Sequence, residues 1–286
     1  LDPRLPPLVS ELFAMENFQK AAKNICPADQ QLLDPFQFNV IMQIPGQTVA
    51  SHIDAPYFWG ADRLDFPQWL LAVMVFSDLF SKDFIHQVQV VGYLSDISGK
   101  AGADGEFIYY QKNDEGRYSK ETAEYLAGSC VDGSKLVHAS RVYSPTEKVP
   151  YLDKDKDSSL VYVGDGKWEL RVDNVPIKEY SDDDLRISIV YRARCFKDEE
   201  ELAKYRSLPA ADHMSLDHVL STLIDGLAAA AVTTKEAAHA MPKVDLAMLL
   251  ISHYIKYPLP SIEAQPIMPW NYCLISKEFP WLGDLC

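Results

Sequence analysis

His52, Asp54 and His138 are the residues of this 286-residue chain whose types and spacing could do chemistry together. Two imidazoles and one carboxylate on one face of a metal leave three coordination positions open. That arrangement suits an iron(II) ion that must bind both a cosubstrate and dioxygen (O2). In His52-Ile53-Asp54 the outer residues stand at i and i+2, and at a strand end such positions point to the same side. The third ligand must come from a distant strand. His138, in the run GSKLVHASRVY, follows a turn and is embedded in a strand-like segment. With seven histidines in the chain, an HxD pair arises by chance about 0.6 times, so the pair needs its context. His86, His213, His218, His239 and His253 form no second cluster with carboxylates at ligand spacing.

The elements that must position these residues can be read from periodicity. Between Ser10 and Leu33 apolar residues recur at helical spacing, interrupted by Pro27, which predicts a helical N-terminal segment over residues 1–35. PFQFNVIMQI is rich in aromatic and β-branched residues and closes on Pro45-Gly46, so a strand leads towards His52. WLLAVMVFSDLF, from Trp69 to Phe80, is apolar almost all round and is read as a buried helix. HQVQVVGYL, Glu106 to Gln111 and Lys135 to Tyr143 read as strands. A polar insertion at about residues 151–181 holds two strand-like runs, SLVYV and KWELRV, joined at Gly164-Asp165-Gly166 as a hairpin. In LRISIVYRARCF the alternation puts Ile187, Ile189 and Tyr191 on one face and Arg186, Ser188, Val190 and Arg192 on the other. One face makes a core and the other can serve a site. From Lys197 onward the pattern turns helical, with starts near Ser215, at a Thr233/Glu236 capping box and near Asp245. The apolar, Pro-rich tail from Pro258 is expected to pack on the body.

In this order, PGQTVASHID, VVGYLSD, GEFIYY, DGSKLVH and LRIS resemble the prolyl-4-hydroxylase-like branch of the Fe(II)/2-oxoglutarate-dependent dioxygenases over about Phe36 to Phe196. The resemblance implies a mainly β fold, a double-stranded β-helix (jelly roll) core over 36–196, with N-terminal helices and a C-terminal helical extension over 197–286. It implies Fe(II), 2-oxoglutarate and O2 as cofactor and cosubstrates, with His52, Asp54 and His138 as metal ligands. Arg186 would grip the distal carboxylate of 2-oxoglutarate as a bidentate fork, with Ser188 adding a hydroxyl. Gln43 stands where that branch usually has a tyrosine contacting the cosubstrate. Lys148 is the rival anchor, although Pro145 and Pro150 around it suit a strand poorly. Tyr57 and Arg63, in the loop after the HxD pair, are candidate substrate contacts.

Lys and Arg total 27 against 41 Asp and Glu, a formal charge of −14, which disfavours nucleic acid and anionic membranes as partners. Small anions stay allowed, because a buried arginine responds to its own site. No run approaches the roughly 18 apolar residues of a membrane span. The five scattered cysteines, Cys26, Cys130, Cys195, Cys273 and Cys286, are read as reduced thiols of a cytoplasmic protein. The expected activity is oxidation of an unactivated C–H bond in a small-molecule or amino-acid-like metabolite, by hydroxylation, desaturation or ring closure. The alternatives are a peptidyl-prolyl hydroxylase or a jelly-roll protein that binds metal without turnover. The C-terminal helices could also form a homodimer surface.

Overall fold

The computed structural model describes residues 7–97, 105–111, 118–145, 147 and 149–256; Lys148 and the tail from Pro258, with Cys273 and Cys286, lie outside them. The fold is mainly β, with several antiparallel sheets and two groups of helices. Its frame is the pairing of β1 (Leu32–Gln43) with β13 (Arg186–Phe196), which runs from Leu32 opposite Phe196 to Gln43 opposite Arg186. The helical N-terminal segment is shorter than the sequence suggests. After α1 (Pro7–Ala14) and α2 (Glu16–Lys23), Leu32 and Leu33 join the strand because β13 offers them partners at Phe196 and Cys195. Non-local pairing overrides local helical spacing here. Pro35, which has no N–H for the ladder, sits at a register shift, where the missing donor does least harm.

Two four-stranded antiparallel sheets carry the centre of the molecule. The first has the order β1-β13-β5-β8, with β5 at Gln87–Tyr93 and β8 at Gly128–Val131. The second has the order β2-β9-β6-β7, with β2 at Val49–His52, β9 at His138–Ser140, β6 at Phe107–Tyr109 and β7 at Ser119–Glu121. Side chains of both sheets line one cavity between them, among them Ile41, Val91 and Val190 from the first and Val49, Phe107 and Ala139 from the second. The alternation of β13 divides its residues cleanly. Tyr191, Ala193 and Cys195 pack with Phe13, Ala22 and Cys26 of the N-terminal segment. Arg186, Ser188, Val190 and Arg192 line the cavity.

The insertion before β13 forms a sheet of three strands, β10 (Ser158–Gly164), β11 (Lys167–Val172) and β12 (Val175–Ser181). The two expected runs and their turn are present, and β12 is added. Its run VPIKEYS carries Pro176 and only a short apolar alternation, Val175 and Ile177, before charged residues, which marks a strand weakly. The short pair β3 (Tyr57–Phe58) and β4 (Phe84–Ile85) brackets α3 (Gln68–Ser77), which buries Leu70, Leu71, Val73 and Met74. An all-round apolar helix needs cover on its outer side. It gets that from α5 (Leu216–Ala229) and α7 (Lys243–Tyr254), whose Leu223, Leu227 and Leu250 share its core. Ser215 caps α5, whereas α6 (Lys235–Ala240) is capped by Thr234 and not by Thr233. No helix among the described residues is long and apolar enough to cross a membrane.

Helix α4 (Glu199–Arg206) is tied down by charge. Asp34, 1% exposed, accepts from Arg194 Nε at 2.8 Å and Arg206 Nη2 at 2.5 Å. The Arg194 guanidinium also lies 4.9–5.3 Å from the ring centres of Phe36, Tyr57 and Tyr205.

The cysteines correct the reduced-thiol reading. Cys26 and Cys195 form a disulfide across 169 residues of sequence, and Cys130 is free. Widely spaced cysteines outside any CxxC pattern gave no hint of it, because their meeting depends on α2 packing on β13. The support that reduced thiols gave to a cytoplasmic location is thereby removed. A bond closing so long a loop contributes about 4–5 kcal/mol, chiefly by restricting the unfolded chain. Cys26→Ser and Cys195→Ser should each lower stability by that amount in denaturant unfolding, and the double variant by no more than either single one. Additive losses would contradict the bond.

Candidate functional site

The backbone register brings the two histidines together. His52, the last residue of β2, lies directly opposite His138, the first residue of β9, and their ring centres are 4.4 Å apart. Asp54 follows two residues later, with its N–H donating to the Gly133 carbonyl at 2.8 Å. One ligand atom from each of His52, Asp54 and His138 lies within 4.8 Å of the other two. Among the described residues this is the one group of three or more such side chains.

Each imidazole is held in the tautomer a metal requires. A carbonyl oxygen can only accept, so His52 Nδ1 donates to Ala50 at 2.7 Å and His138 Nδ1 donates to Leu136 at 2.9 Å. Nε2 is thereby left as the ligand atom of each ring, with His52 Nε2 at 3.8 Å from Asp54 Oδ1. Ring orientation through the second nitrogen is the usual support of a metal-binding histidine. Burial pushes the His138 pKa below its ordinary value, outweighing the opposing pull of Asp54, which keeps the ring neutral and able to donate its lone pair. The donor set of two imidazole nitrogens and one carboxylate fits a divalent ion of the first transition row.

Two residues without an assigned role in the sequence complete this cluster. Arg192 reaches Asp54 with Nε at 3.1 Å and Nη2 at 2.5 Å. It also donates from Nη1 to Gln37 Oε1 at 2.7 Å and from Nε to Gln89 Oε1 at 2.7 Å. With its oxygen facing Arg192, the Gln89 amide turns its Nε2 to His138 Nε2 at 3.1 Å. An ionised carboxylate has about four lone-pair sites, so the two Arg192 bonds leave room for a further ligand on Asp54. Both residues were visible as a pattern. Gln87 and Gln89 alternate in an otherwise apolar strand, and Arg192 shares its face with Arg186.

Arg186 occupies the same cavity, of about 70 Å3, with His52, His138 and Ser188. It is 4% exposed and Ser188 2%. From the opposite position on β1, Gln43 turns Oε1 to Arg186 Nη1, and the Tyr93 ring lies 5.2 Å from the guanidinium. No acidic side chain among the described residues pairs with Arg186. Its Nε and the Gln43 Nε2 are buried without a hydrogen-bond partner, and burial lowers the Arg186 pKa from its ordinary value. Arg141, at odd separation from His138, pairs instead with Glu106 at 2.9 Å. Gly105 and Arg186 are in close approach: a Cβ on Gly105, whose φ is +49°, would lie 2.8–2.9 Å from the arginine Cδ and Nε.

The two loop candidates also meet. Tyr57 and Arg63 line a second cavity, of about 250 Å3, with His52, Asp54 and Arg192. Their neighbours Phe58 and Trp59 serve packing instead, Phe58 against Phe80 and Phe84 and Trp59 against Tyr205.

Gly133 makes the triad possible. A Cβ there would lie 2.1 Å from Asp54 Oδ2 and 3.1 Å from His138 Cε1, so any side chain would occupy the space beside both ligands. Gly133→Ala should therefore displace Asp54 and weaken metal binding at least tenfold in equilibrium dialysis. Metal affinity equal to that of the unaltered protein would show that the triad is not the metal site.

No protein-family model and no curated protein matches this sequence. Among solved structures the chain is similar to HygX from Streptomyces hygroscopicus with nickel and 2-oxoglutarate bound, at 11% identity over 66% of this chain and 67% of that one, with a TM-score of 0.35. Apo HygX gives 11% identity, coverages of 66% and 68%, and a TM-score of 0.33. The nickel complex of ThoJ, a non-heme monooxygenase, gives 14% identity over 57% of this chain and 44% of that chain, with a TM-score of 0.27. At TM-scores this low the likenesses carry no argument about this chain.

Proposed function

We propose that the protein is an Fe(II)/2-oxoglutarate-dependent oxygenase acting on a small molecule. The observation that carries this reading is Arg186, a buried cation without an acidic partner among the described residues, in a cavity shared with His52 and His138. Burying an unpaired charge costs several kcal/mol, and a site retains such a charge when a ligand brings the counter-ion. A dicarboxylate that reaches both Arg186 and the triad satisfies both ends of the cavity. Between them the walls are Ile41, Val91, Phe107 and Val190, which suit the two methylenes of 2-oxoglutarate. Nested pairing supports the double-stranded β-helix reading as well. The strand pairs β1·β13, β2·β9, β5·β8 and β6·β7 are those of one long hairpin wound into two facing sheets.

The chain's own residues have separable tasks. His52, Asp54 and His138 would hold the metal, Arg192 fixes the orientation of Asp54 and the Leu136 carbonyl that of His138, and the Gln89 amide would give up its bond to His138 Nε2 when the metal takes that nitrogen. Arg186 binds the distal carboxylate, with Ser188 beside it and Gln43 steering the guanidinium. The apolar walls exclude water from the charged contacts and so strengthen them. What the metal would supply is activation of dioxygen, coupling decarboxylation of 2-oxoglutarate to succinate with oxidation of a substrate C–H bond.

Succinate formation with iron(II) and ascorbate should occur without added substrate at a low rate and disappear in His52→Ala; retained succinate formation there would reject the triad. Arg186→Met should weaken 2-oxoglutarate binding tenfold or more, equivalent to roughly 1.5–3 kcal/mol for a charge-assisted hydrogen bond. The same variant, having lost an unpaired buried charge, should melt at or above the temperature of the ligand-free parent. A large drop in melting temperature would show that Arg186 is structural.

A further inference from the structure

The cavity lined by Tyr57 and Arg63 is distinct from the one lined by Arg186, and its walls describe the molecule it takes. His52 and Arg192 line both cavities, so an occupant of the second lies beside the candidate metal ligands without entering the first. Its polar lining is one-sided in charge. Arg192 and Asp54 offset one another through their paired contacts. Arg63 is exposed and makes no ion pair with any described acid. Its neighbour Asp62 directs Oδ1 to the Leu64 N–H at 2.7 Å. The cavity lining thus carries a surplus cation in a chain whose formal charge is −14. A positive concavity in an acidic protein attracts anions locally while the rest of the surface repels them.

The remaining groups add directionality. A guanidinium has five N–H donors, and the bonds of Arg192 to Asp54, Gln37 and Gln89 leave one N–H on each terminal nitrogen uncommitted. Gln37, Gln68 and Gln87 present amides to the same cavity. Burial holds the Tyr57 hydroxyl in its protonated form by raising its pKa, so it can donate. Such a set of donors and amides suits a molecule with an oxyanion at one end and carbonyl or hydroxyl groups along its length.

We infer that the second cavity binds a polar small molecule bearing a carboxylate or phosphate, with Arg63 as the group that selects for the anion. As the identity of the oxidised substrate, this rests on the oxygenase reading; as an anion site it stands on the cavity alone. The test is a set of NMR titrations with N-acetylglycinate, methyl phosphate and the neutral N-acetylglycinamide. They are run on the parent protein, on Arg63→Met and on Arg186→Met, with and without a divalent metal. At least one of the two anions should bind, and the one that binds distinguishes a carboxylate from a phosphate site. Arg63→Met should weaken that binding about tenfold or more, as expected when a charge-assisted hydrogen bond is lost. Arg186→Met should retain it, and the neutral amide should bind more weakly than its acid. The inference fails if neither anion binds, if the amide binds as well as the acid, or if Arg186→Met removes binding while Arg63→Met does not. A parallel titration with 2-oxoglutarate separates the two ideas. Its failure to bind rejects the oxygenase, while Arg63-dependent anion binding would still uphold the cavity.

Discussion

Three arginines project from one face of β13, and how each is or is not neutralised organises the strands and the candidate site around it. Each stands opposite its contact on β1: Arg186 opposite Gln43, Arg192 opposite Gln37 and Arg194 opposite Asp34. Arg194 meets a buried carboxylate and three aromatic rings, which makes it part of the scaffold. Arg192 meets Asp54, which joins the scaffold to the triad. Among the described residues Arg186 meets an amide and the face of a tyrosine. Because a buried charge must be matched by something, the series along one strand separates structure from function. Two of the arginines meet acids, and the third has none among the described residues, which is the basis for proposing that a ligand supplies its counter-ion.

The same strand explains why a site can be built from distant parts of the chain. In antiparallel pairing the register determines which side chains stand opposite one another, so β2 and β9 need no further device to set His52 against His138. What the register leaves open is closed locally: each imidazole donates to a carbonyl two residues earlier, and Gly133 keeps the space beside Asp54 clear. Arg192 then has two positions to serve. It offsets the carboxylate it touches, and it forms part of the wall between a narrow cavity ending at Arg186 and a wider one opening at Arg63. The disulfide lies on the other face of β13, where it fastens the N-terminal helices without entering the site.

Much of this was written in the sequence because strands and their faces follow short periods. His52-Ile53-Asp54 and the alternation from Arg186 to Arg192 survive any rearrangement that keeps them in strands, and the apolar helix after Trp69 announces its own burial. The features that were not legible depend on tertiary pairing. Leu32 and Leu33 look helical until β13 is placed beside them, and the apolar face of β12 is too short, and interrupted by Pro176, to mark it. Cys26 and Cys195 meet only after α2 packs on the sheet. Gln89 and Arg192 were visible as polar residues in buried positions. Their roles required knowing that β5 and β13 are neighbours.

If Arg186 and the triad take the two ends of one keto acid, a structure determined with manganese(II) and 2-oxoglutarate under anaerobic conditions should show it. Metal density is expected among His52, Asp54 and His138, with the keto-carboxylate end of the ligand at that metal and the far carboxylate on the Arg186 guanidinium beside Ser188. A far carboxylate bound to Lys148 with Arg186 left without an anion, or metal bound away from the triad, would contradict it.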